Sequence, residues 1–389
     1  MDKEMKKTFK RAVLILLIFA QVFSLNAFAS GTSESLDIQV FSGASANSYF
    51  LIDSDSGDVL SSYNANLQLP MASTTKIMTC IVALENANLS DLVSIPQAAV
   101  GVEGSSVYLT KGETLKLEEL LYALMLESAN DAAVAIAFYV AGGVDEFAGM
   151  MNKKAKEIGL ESTNFINPHG LPQDNHYSTA RDLCFLMQYC MKNEAFRVIT
   201  STKSISISAP DGKTRFLSNH NKLLRIYDGC NGGKTGFTKK AGRCLVSSAE
   251  RDGKELICAT LGDPNDWKDH SNLFDYGFSL YSKKEIVSVG SFSYEIPLVG
   301  GTRDTVFVSN TETLSLPLRS DEEIKFFVEL PKFLYASVDA GQKVGEVIVL
   351  NEDLELARIP LVCQGSVLKR TEKLSFWERI LQNIRLWFD

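Results

Sequence analysis

The 389-residue sequence contains only four histidines and seven cysteines, and no two cysteines stand in a C-x-x-C pair. This scarcity of grouped ligands excludes zinc fingers and zinc ribbons, which need four closely spaced cysteine or histidine side chains. Basic residues are not in excess, since 39 Lys and Arg stand against 47 Asp and Glu. A basic nucleic-acid-binding surface is therefore not expected. With 45% apolar and 22% charged residues, the composition is that of a folded protein and not of a disordered chain.

Residues 1–29 have the pattern of an export signal. Basic residues come first, a run of apolar residues follows, and the segment ends in Ala27-Phe28-Ala29, with the small residues that a signal peptidase requires. We predict cleavage before Ser30 and a mature protein outside the cytoplasmic membrane. The alternative is a segment that stays uncleaved as a membrane anchor.

The cysteines are odd in number, so at least one has no partner within the chain. All lie among apolar residues, which is typical of thiols packed in a core. We therefore expect no structural disulfide, with one exception to test, a pair on two predicted neighbouring strands, Cys244 and Cys258. The other five are Cys80, Cys184, Cys190, Cys230 and Cys363.

Residues 30–284 combine strands at both ends with helices between them. Alternating apolar residues predict a first hairpin, Ser48–Ile52 with Val59–Tyr63. Helical periodicity predicts helices over a segment that opens at Ser73 and over Leu115–Leu126, Ala132–Val140, Val144–Ile158 and Thr179–Met191. The later strands are predicted over a hairpin at Lys203–Arg215 and over Gly232–Thr238, Arg243–Ser248 and Glu255–Leu261. This order predicts an α+β fold with one antiparallel sheet flanked by helices.

The chain changes character after this region. Residues 285–368 show only short β patterns separated by turns, which predicts a small all-β C-terminal domain. In residues 369–389, apolar and aromatic side chains recur at helical spacing opposite a charged face. About 15 residues at 1.5 Å each span roughly 22 Å, which is too short for a hydrocarbon core of about 30 Å. We expect an amphipathic helix that anchors the protein in the membrane surface, and the alternative is a helix docked on its own protein.

Three short motifs carry the chemistry of this sequence. Each alone occurs by chance in ordinary chains, but their joint occurrence in this order is specific. The motifs are Ser73-Thr74-Thr75-Lys76, Ser128-Ala129-Asn130 and Lys234-Thr235-Gly236.

The first motif suits a serine nucleophile and its base. Ser73 lies at a predicted helix start, where unpaired backbone N–H groups and the helix dipole favour negative charge. Its own amide can then help to hold an oxyanion. Lys76 lies one turn deeper on nearly the same face and can take the serine proton if burial and a second cation, Lys234, lower its pKa. The alternatives are a serine N-cap and a solvated lysine.

The other two motifs would surround a substrate. Ser128 can relay a proton to a leaving amine and Asn130 can donate to a substrate amide carbonyl, although this loop is also typical of a capped helix pair. The glycines around Gly236 predict an edge strand that a ligand backbone can approach closely. On that strand Thr235 could bind a terminal carboxylate, and the amide of Phe237 would be the second oxyanion donor.

These motifs resemble those of the low-molecular-mass penicillin-binding proteins, the serine-type D-alanyl-D-alanine carboxypeptidases of the peptidase S11 family, in their sporulation and housekeeping forms from Gram-positive bacteria. The resemblance extends over almost the whole chain after residue 29. It implies a penicillin-binding, β-lactamase-like transpeptidase domain followed by the β domain and the tail helix. The stretches that carry it besides the motifs are Asn167–Pro172, His176–Ala180, Ala241–Val246 and Gly341–Gly345.

The resemblance implies an acyl-enzyme reaction that needs no metal and no other cofactor. Ser73 would attack the penultimate D-Ala carbonyl of a peptidoglycan pentapeptide, Lys76 would act as base, and Ser128 would protonate the departing D-Ala. β-Lactams would acylate the same serine as covalent inhibitors. The resemblance also implies a role in cell-wall biogenesis and cell shape, at the outer face of the cytoplasmic membrane, and no nucleic-acid partner.

Two positions depart from the pattern of some relatives. Phe237 follows K-T-G where they have His, and His220 stands in Asn219-His220-Asn221 where they have Arg. Recognition of the terminal carboxylate then falls to Thr235, with His220 or Arg243 assisting. The motifs leave open a DD-endopeptidase or transpeptidase that uses the same donor. A β-lactamase and a wall-binding protein without activity remain further alternatives, although the E-x-x-L-N stretch of class A β-lactamases is not found.

Overall fold

The computed structural model describes residues 41–210, 212–370 and 375–388. The predicted export signal at 1–29 lies outside the described residues, so its prediction stands untested. The strands are β1 Ser48–Asp53, β2 Val59–Tyr63, β3 Leu92–Ser94, β4 Thr114–Lys116, β5 Ser204–Ser208, β6 Thr214–Ser218, β7 Cys230–Thr238, β8 Gly242–Arg251, β9 Lys254–Leu261, β10 Ser282–Val287, β11 Ser293–Val299, β12 Thr305–Asn310, β13 Leu314–Leu318, β14 Ile324–Glu329, β15 Leu334–Tyr335, β16 Lys343–Asn351 and β17 Leu354–Cys363.

The helices lie mostly between the first hairpin and β7. They are α1 Lys76–Asn86, α2 Leu117–Leu126, α3 Asn130–Ala141, α4 Val144–Ile158, α5 Ala180–Met191, α6 Glu194–Ser201, α7 Leu223–Ile226, α8 Asp266–Ser279 and α9 Phe376–Phe388, with short 3-10 helices at Ala72–Thr75 and Gln97–Ala99.

One five-stranded antiparallel sheet, in the order β2-β1-β9-β8-β7, organises the first domain. Successive residues of β1 point to opposite faces, as strand geometry requires. Phe50 and Ile52 join the larger hydrophobic cluster with helices α1 to α5, whereas Tyr49 and Leu51 pack on the other face with Phe274 of α8. The predicted α+β arrangement of a sheet flanked by helices is therefore confirmed, and β7 lies at its edge.

Three helices were not predicted from the sequence, and one of them, α7, is a single turn of four residues. Helix α6 has only eight residues, too few for a convincing periodic pattern. Helix α8 is rich in polar residues and buries two carboxylates, Asp266 and Asp269, so its apolar stripe is short. The first predicted helix begins as the 3-10 turn at Ala72–Thr75 and continues as α1.

The second domain is all β, as predicted, and contains a six-stranded sheet in the order β14-β16-β17-β12-β11-β15 and the pair β10-β13. Buried Val308, Val349 and Leu361 belong to its two hydrophobic clusters. The predicted boundary between residues 284 and 285 falls inside β10 and stays a prediction.

All seven cysteines are free thiols. Cys244 and Cys258 do lie on neighbouring strands, but Cys244 is opposite Leu261 and Cys258 is opposite Ser247. The two thiols therefore point to opposite faces of the sheet, one into each hydrophobic cluster. The suggested bond between them is wrong because three register positions separate the two residues.

Within the described part of the chain, no single helix has both the length and the apolar character needed to cross a bilayer. Helices α3 and α4 meet that criterion only when taken together, and the pair is bent by 83°.

Candidate active site

The turn that carries Ser73 is held by the hydroxyl groups of the two threonines that follow it. Thr74 Oγ1 donates to the Met71 carbonyl at 2.7 Å, and Thr75 Oγ1 donates to the Ala72 carbonyl at 2.8 Å. Ala72 has a φ of +50°, a left-handed conformation that a residue with a Cβ rarely adopts. The turn therefore holds Ser73, which is partly exposed, at the entrance to helix α1.

Lys76 is the first residue of α1 and is fully buried. Its Nζ lies 3.0 Å from Ser73 Oγ, 2.7 Å from Asn130 Oδ1 and 2.6 Å from the carbonyl oxygen of His169. The spacing of three residues that suggested a serine and its base therefore places the two groups within hydrogen-bond distance.

The surroundings of Lys76 favour a neutral amine. Burial lowers the pKa of Lys76 well below its usual value, and the charge of Lys234 lowers it further. The carboxylate of Asp131 acts in the opposite direction and raises the pKa. A lysine with a depressed pKa is able to accept a proton at the pH at which the protein works.

Ser128 and Lys234 form a second pair. Ser128 lies between α2 and α3, is buried and has a φ of +59°, and Lys234 Nζ donates to its Oγ at 3.0 Å. Lys234 also donates to the carbonyl of Thr235 at 2.9 Å, and burial lowers its pKa to about 7. The third motif therefore meets the second through one hydrogen bond between these two side chains.

Asn130 begins helix α3 with both ends of its amide engaged. Oδ1 accepts from Lys76, and Nδ2 donates to the carbonyl of Glu103 at 2.5 Å. Its neighbour Asp131 accepts from Ser106 Oγ at 2.6 Å and from the amide of Leu109 at 3.0 Å. Asn130 therefore joins the start of α3 to Lys76, and Asp131 joins it to the segment at residues 106–109.

Strand β7 lines the other side of the serine. A Cβ on Gly236 would lie 3.0 Å from the amide nitrogen of Ser73, so only a glycine lets the strand come this close without displacing the turn. Thr235 is partly buried, and the side chain of Phe237 is exposed. Phe237 directly follows Gly236, so its backbone adjoins the residue of β7 that lies against the nucleophile turn.

His220 is placed at the rim of the site. Its side chain is half exposed, and its Nε2 lies 3.2 Å from a carboxylate oxygen of Glu127, the residue before Ser128. Arg243 has partners elsewhere, because it donates to Asp266 at 2.8 Å and stacks over Trp267. His220 therefore contacts the residue before the second motif, whereas Arg243, opposite Phe237 in the register of β7 and β8, directs its guanidinium to α8.

The segment Asn167–Leu171 completes the site, and sequence reasoning did not assign it a role there. The His169 carbonyl faces Lys76, and a Cβ on Gly170 would lie 1.9 Å from the Ala72 carbonyl oxygen. The stretch Asn167–Pro172 contributed to the resemblance seen in the sequence. The sequence does not indicate which backbone carbonyl contacts Lys76, because every residue type has one. Burial, and after it the charge of Lys76, lower the pKa of the His169 ring to about 3.

The family of the protein follows from this arrangement and from two matches. Residues 36–265 match the family model of peptidase S11, D-alanyl-D-alanine carboxypeptidase, and residues 279–369 match that of the penicillin-binding protein 5 C-terminal domain. The chain belongs to the peptidase S11 family. It is a serine hydrolase of the D-alanyl-D-alanine carboxypeptidase type with the C-terminal domain of penicillin-binding protein 5.

Relatives of this S11 protein match it over most of their length. The D-alanyl-D-alanine carboxypeptidase DacF of Bacillus subtilis is 28% identical over 95% of this chain and 97% of its own. The structure of penicillin-binding protein 5 from Haemophilus influenzae is 27% identical, covers 84% of this chain and 98% of its own, and has a TM-score of 0.59. A variant of the DD-transpeptidase of Streptomyces K15 is 34% identical over 61% of this chain and 99% of its own, with a TM-score of 0.59.

Proposed function

We propose that this S11 protein removes the terminal D-Ala from peptidoglycan pentapeptides through an acyl-enzyme on Ser73, and that β-lactams acylate the same serine. The observation that carries the proposal is the set of contacts around Lys76 Nζ. A neutral amine has two N–H bonds and one lone pair. With Asn130 Oδ1 and the His169 carbonyl accepting the two protons, the lone pair is left for the hydroxyl of Ser73.

The first half of the reaction follows from this orientation. Lys76 takes the proton of Ser73 as Oγ bonds to the penultimate D-Ala carbonyl carbon, and the carbonyl oxygen becomes an oxyanion. The amides of Ser73 and Phe237 stabilise that oxyanion. The C–N bond then breaks, and Ser128, hydrogen-bonded to Lys234, delivers a proton to the departing D-Ala amine. The proton that Lys76 took from Ser73 replaces it on Ser128, so Lys76 is neutral again.

The second half is hydrolysis. Water attacks the acyl carbon and gives a proton to the neutral Lys76. Lys76 passes that proton to Ser73 Oγ as the ester bond breaks, and the peptide acid is the product. The second N–H of Asn130 Nδ2, which the Glu103 carbonyl does not take, holds the substrate amide in both steps. In the first step Thr235 binds the terminal carboxylate, and His220 assists it from the rim of the cleft.

We also propose export and membrane attachment, with the protein at the outer face of the cytoplasmic membrane in cell-wall biogenesis and the maintenance of cell shape. The sequence of residues 1–29 supports the export. The exposed apolar side chains of helix α9, among them Phe376, Trp377, Leu381 and Ile384, support its place in a bilayer surface.

The test of catalysis uses the purified full-length protein, fluorescent penicillin and a diacetyl-Lys-D-Ala-D-Ala peptide. We expect a covalent label and D-Ala release in the wild type, and neither in Ser73→Ala. Ser279→Ala is the matched control, because this exposed serine ends α8 and its hydroxyl donates to the Tyr276 carbonyl of the same helix. Retention of both activities by Ser73→Ala would overturn the assignment of the nucleophile.

A second function has one observation in its favour, the likeness to a structure named as a DD-transpeptidase. The same experiment separates the two functions. Penicillin labelling without D-Ala release, followed by transfer when an amine acceptor is added, would identify a transpeptidase. Cleavage of cross-linked dimers would identify an endopeptidase, and rapid turnover of the penicillin would identify a β-lactamase.

Membrane attachment is tested separately by sedimentation with anionic phospholipid vesicles. We expect the double variant with Trp377→Glu and Leu381→Glu to remain in the supernatant, because charged side chains oppose insertion of the apolar face. Trp377→Phe is the control that keeps an aromatic ring. Equal sedimentation of the wild type and the double variant would exclude α9 as the anchor.

A further inference from the structure

His176 is a buried histidine that the reaction described above does not use. It lies in the loop before α5, is 6% exposed, and places its ring edge against Phe165 with 6.1 Å between ring centres. Two hydrogen bonds hold the ring. Nδ1 lies 3.0 Å from the amide nitrogen of Ile166, and Nε2 lies 2.9 Å from Thr75 Oγ1.

These two contacts decide which ring nitrogen carries the proton. A backbone N–H only donates, so Nδ1 of His176 is the acceptor for Ile166 and has no proton. In the neutral ring the proton is then on Nε2, which donates to Thr75 Oγ1. Burial, and after it the charge of Lys76, lower the pKa of His176 to about 4, so the ring is neutral at physiological pH.

The hydrogen bonds continue to the nucleophile turn. Thr75 is fully buried, accepts the hydrogen bond from His176 Nε2 and donates its own hydroxyl hydrogen to the Ala72 carbonyl at 2.8 Å. Every bond of this chain therefore runs in one direction, from Ile166 to Ala72. A threonine hydroxyl that accepts one strong bond has its own proton committed to the remaining acceptor.

These hydrogen bonds matter because they hold the backbone of Ala72. Its φ of +50° is unfavourable for alanine, and it directly precedes Ser73. A conformation of this kind persists only where the surrounding structure holds it, and the Ala72 carbonyl is held between the Thr75 hydroxyl and Gly170.

We propose that His176 is a positioning residue for Ser73, acting through Thr75 on the carbonyl of Ala72. The inference deepens the proposed function and rests on Ser73 as the nucleophile. His176 does not take part in proton transfer, because both of its nitrogens are occupied by these structural bonds. Its effect is on the place of Ser73 Oγ relative to Lys76 and to the substrate carbonyl.

The test compares variants that keep or remove these bonds in the full-length protein. His176→Leu keeps the volume and loses both bonds, whereas His176→Gln retains one acceptor and one donor at a similar separation. Thr75→Val loses the hydroxyl and Thr75→Ser keeps it. The matched control is His270→Leu, since His270 is equally buried between the hydroxyls of Ser247 and Thr260 on the other face of the sheet.

The measurements are the rate constant of acylation by fluorescent penicillin, and kcat and KM for D-Ala release. We expect His176→Leu and Thr75→Val each to lower the acylation rate roughly tenfold to hundredfold, the range that a misplaced nucleophile produces. The loss should appear in kcat and leave KM nearly unchanged. The double variant with His176→Leu and Thr75→Val should be acylated no more slowly than the slower single variant. Either change alone already breaks the chain of hydrogen bonds, so the second has nothing further to remove.

Recovery of most of the rate by His176→Gln and Thr75→Ser, with an unaffected His270→Leu, would support the proposal. Acylation by folded His176→Leu at the wild-type rate would overturn it, and so would additive losses in the double variant. Failure of the proposed function is distinct, because Ser73→Ala would then still be labelled. If His176→Leu does not fold, the pair Thr75→Val and Thr75→Ser decides the question by itself.

Discussion

Asn130 accepts a hydrogen bond from Lys76 Nζ at 2.7 Å, so a neutral oxygen and not a carboxylate faces the base. Asn130→Asp would place a negative charge at this distance and raise the pKa of Lys76. We expect the acylation rate at neutral pH to fall. The acidic limb of its pH profile, where the rate rises as Lys76 loses its proton, should move to higher pH by about 1 to 3 pH units. The pH dependence of the acylation rate constant measures this displacement.

Asn130→Ala is the comparison for this change. It removes the acceptor without adding charge, so its rate should be low at every pH and should not recover on the alkaline side. An Asn130→Asp profile parallel to that of Asn130→Ala would show that the neutral oxygen does not set the protonation of Lys76.

A second prediction concerns Lys234 and Asp131, whose charges shift the pKa of Lys76 in opposite directions. His169 and His176 also face the amine, but their pKa values are lowered to about 3 and about 4, so neither is charged at neutral pH. Lys234 and Asp131 remain, and the first lowers the pKa of Lys76 while the second raises it. Lys234→Ala should therefore move the acidic limb of acylation to higher pH, and Asp131→Asn should move it to lower pH.

Two controls separate charge from geometry in this prediction. Lys234→Arg keeps the positive charge, so its limb should stay near that of the wild type even if the rate falls. Ser106→Ala removes one of the hydrogen bonds to Asp131 and keeps the carboxylate, so its acidic limb should stay near that of the wild type. A shift of the acidic limb in the same direction in Lys234→Ala and in Asp131→Asn would contradict the electrostatic argument.

Part of this site could be predicted from the sequence because it depends on local geometry. A serine and a lysine three residues apart at a helix start face the same side in any helix, so the contact between Ser73 and Lys76 needs no knowledge of the fold. The edge strand around Gly236 was predictable for a similar reason, since consecutive glycines mark a close backbone approach.

The rest depends on contacts between distant segments. The His169 carbonyl meets Lys76 only because the loop before α5 folds back on the nucleophile turn, and any residue type supplies a carbonyl. The faces of Cys244 and Cys258 depend on the register between β8 and β9, which the sequence alone does not provide. The left-handed conformation of Ala72 had no signal either, because alanine is not a residue that predicts it.

The close approach of Gly170 to the nucleophile turn gives a third prediction. Gly170 has a φ of +90°, and an added Cβ would lie 1.9 Å from the Ala72 carbonyl oxygen. Gly170→Ala should lower the free energy of unfolding by more than the conformational cost of about 1 kcal/mol and lower acylation at least about tenfold, because Ala72 must move. Denaturant unfolding and penicillin labelling measure the two effects.

Gly112→Ala is the control for backbone conformation. Gly112 has a φ of +76°, yet an added Cβ would meet no atom within 4 Å. This variant should show the conformational cost and normal acylation. Equal behaviour of the two variants would mean that the contact with Ala72 has no influence on the position of Ser73.

Arg319 of the β domain connects the two domains and carries the last prediction. Its guanidinium donates to Asp58 of the first domain at 2.7 Å and to the hydroxyl of Tyr281, which in turn donates to Asp53 at 2.6 Å. The Arg319 side chain is only 15% exposed, so these contacts are screened less by water than those of a surface pair.

Arg319→Met should therefore loosen the joint between the domains and leave the active site intact. We expect unchanged release of D-Ala from a small peptide, faster proteolysis between α8 and β10, and a loss of about 1 to 3 kcal/mol in the free energy of unfolding. Arg358→Met is the matched control, because Arg358 pairs with Glu346 and Glu355 on the exposed surface of the β domain, where such pairs contribute about 0 to 1 kcal/mol. The same proteolysis rate in both variants would show that Arg319 does not hold the domains together.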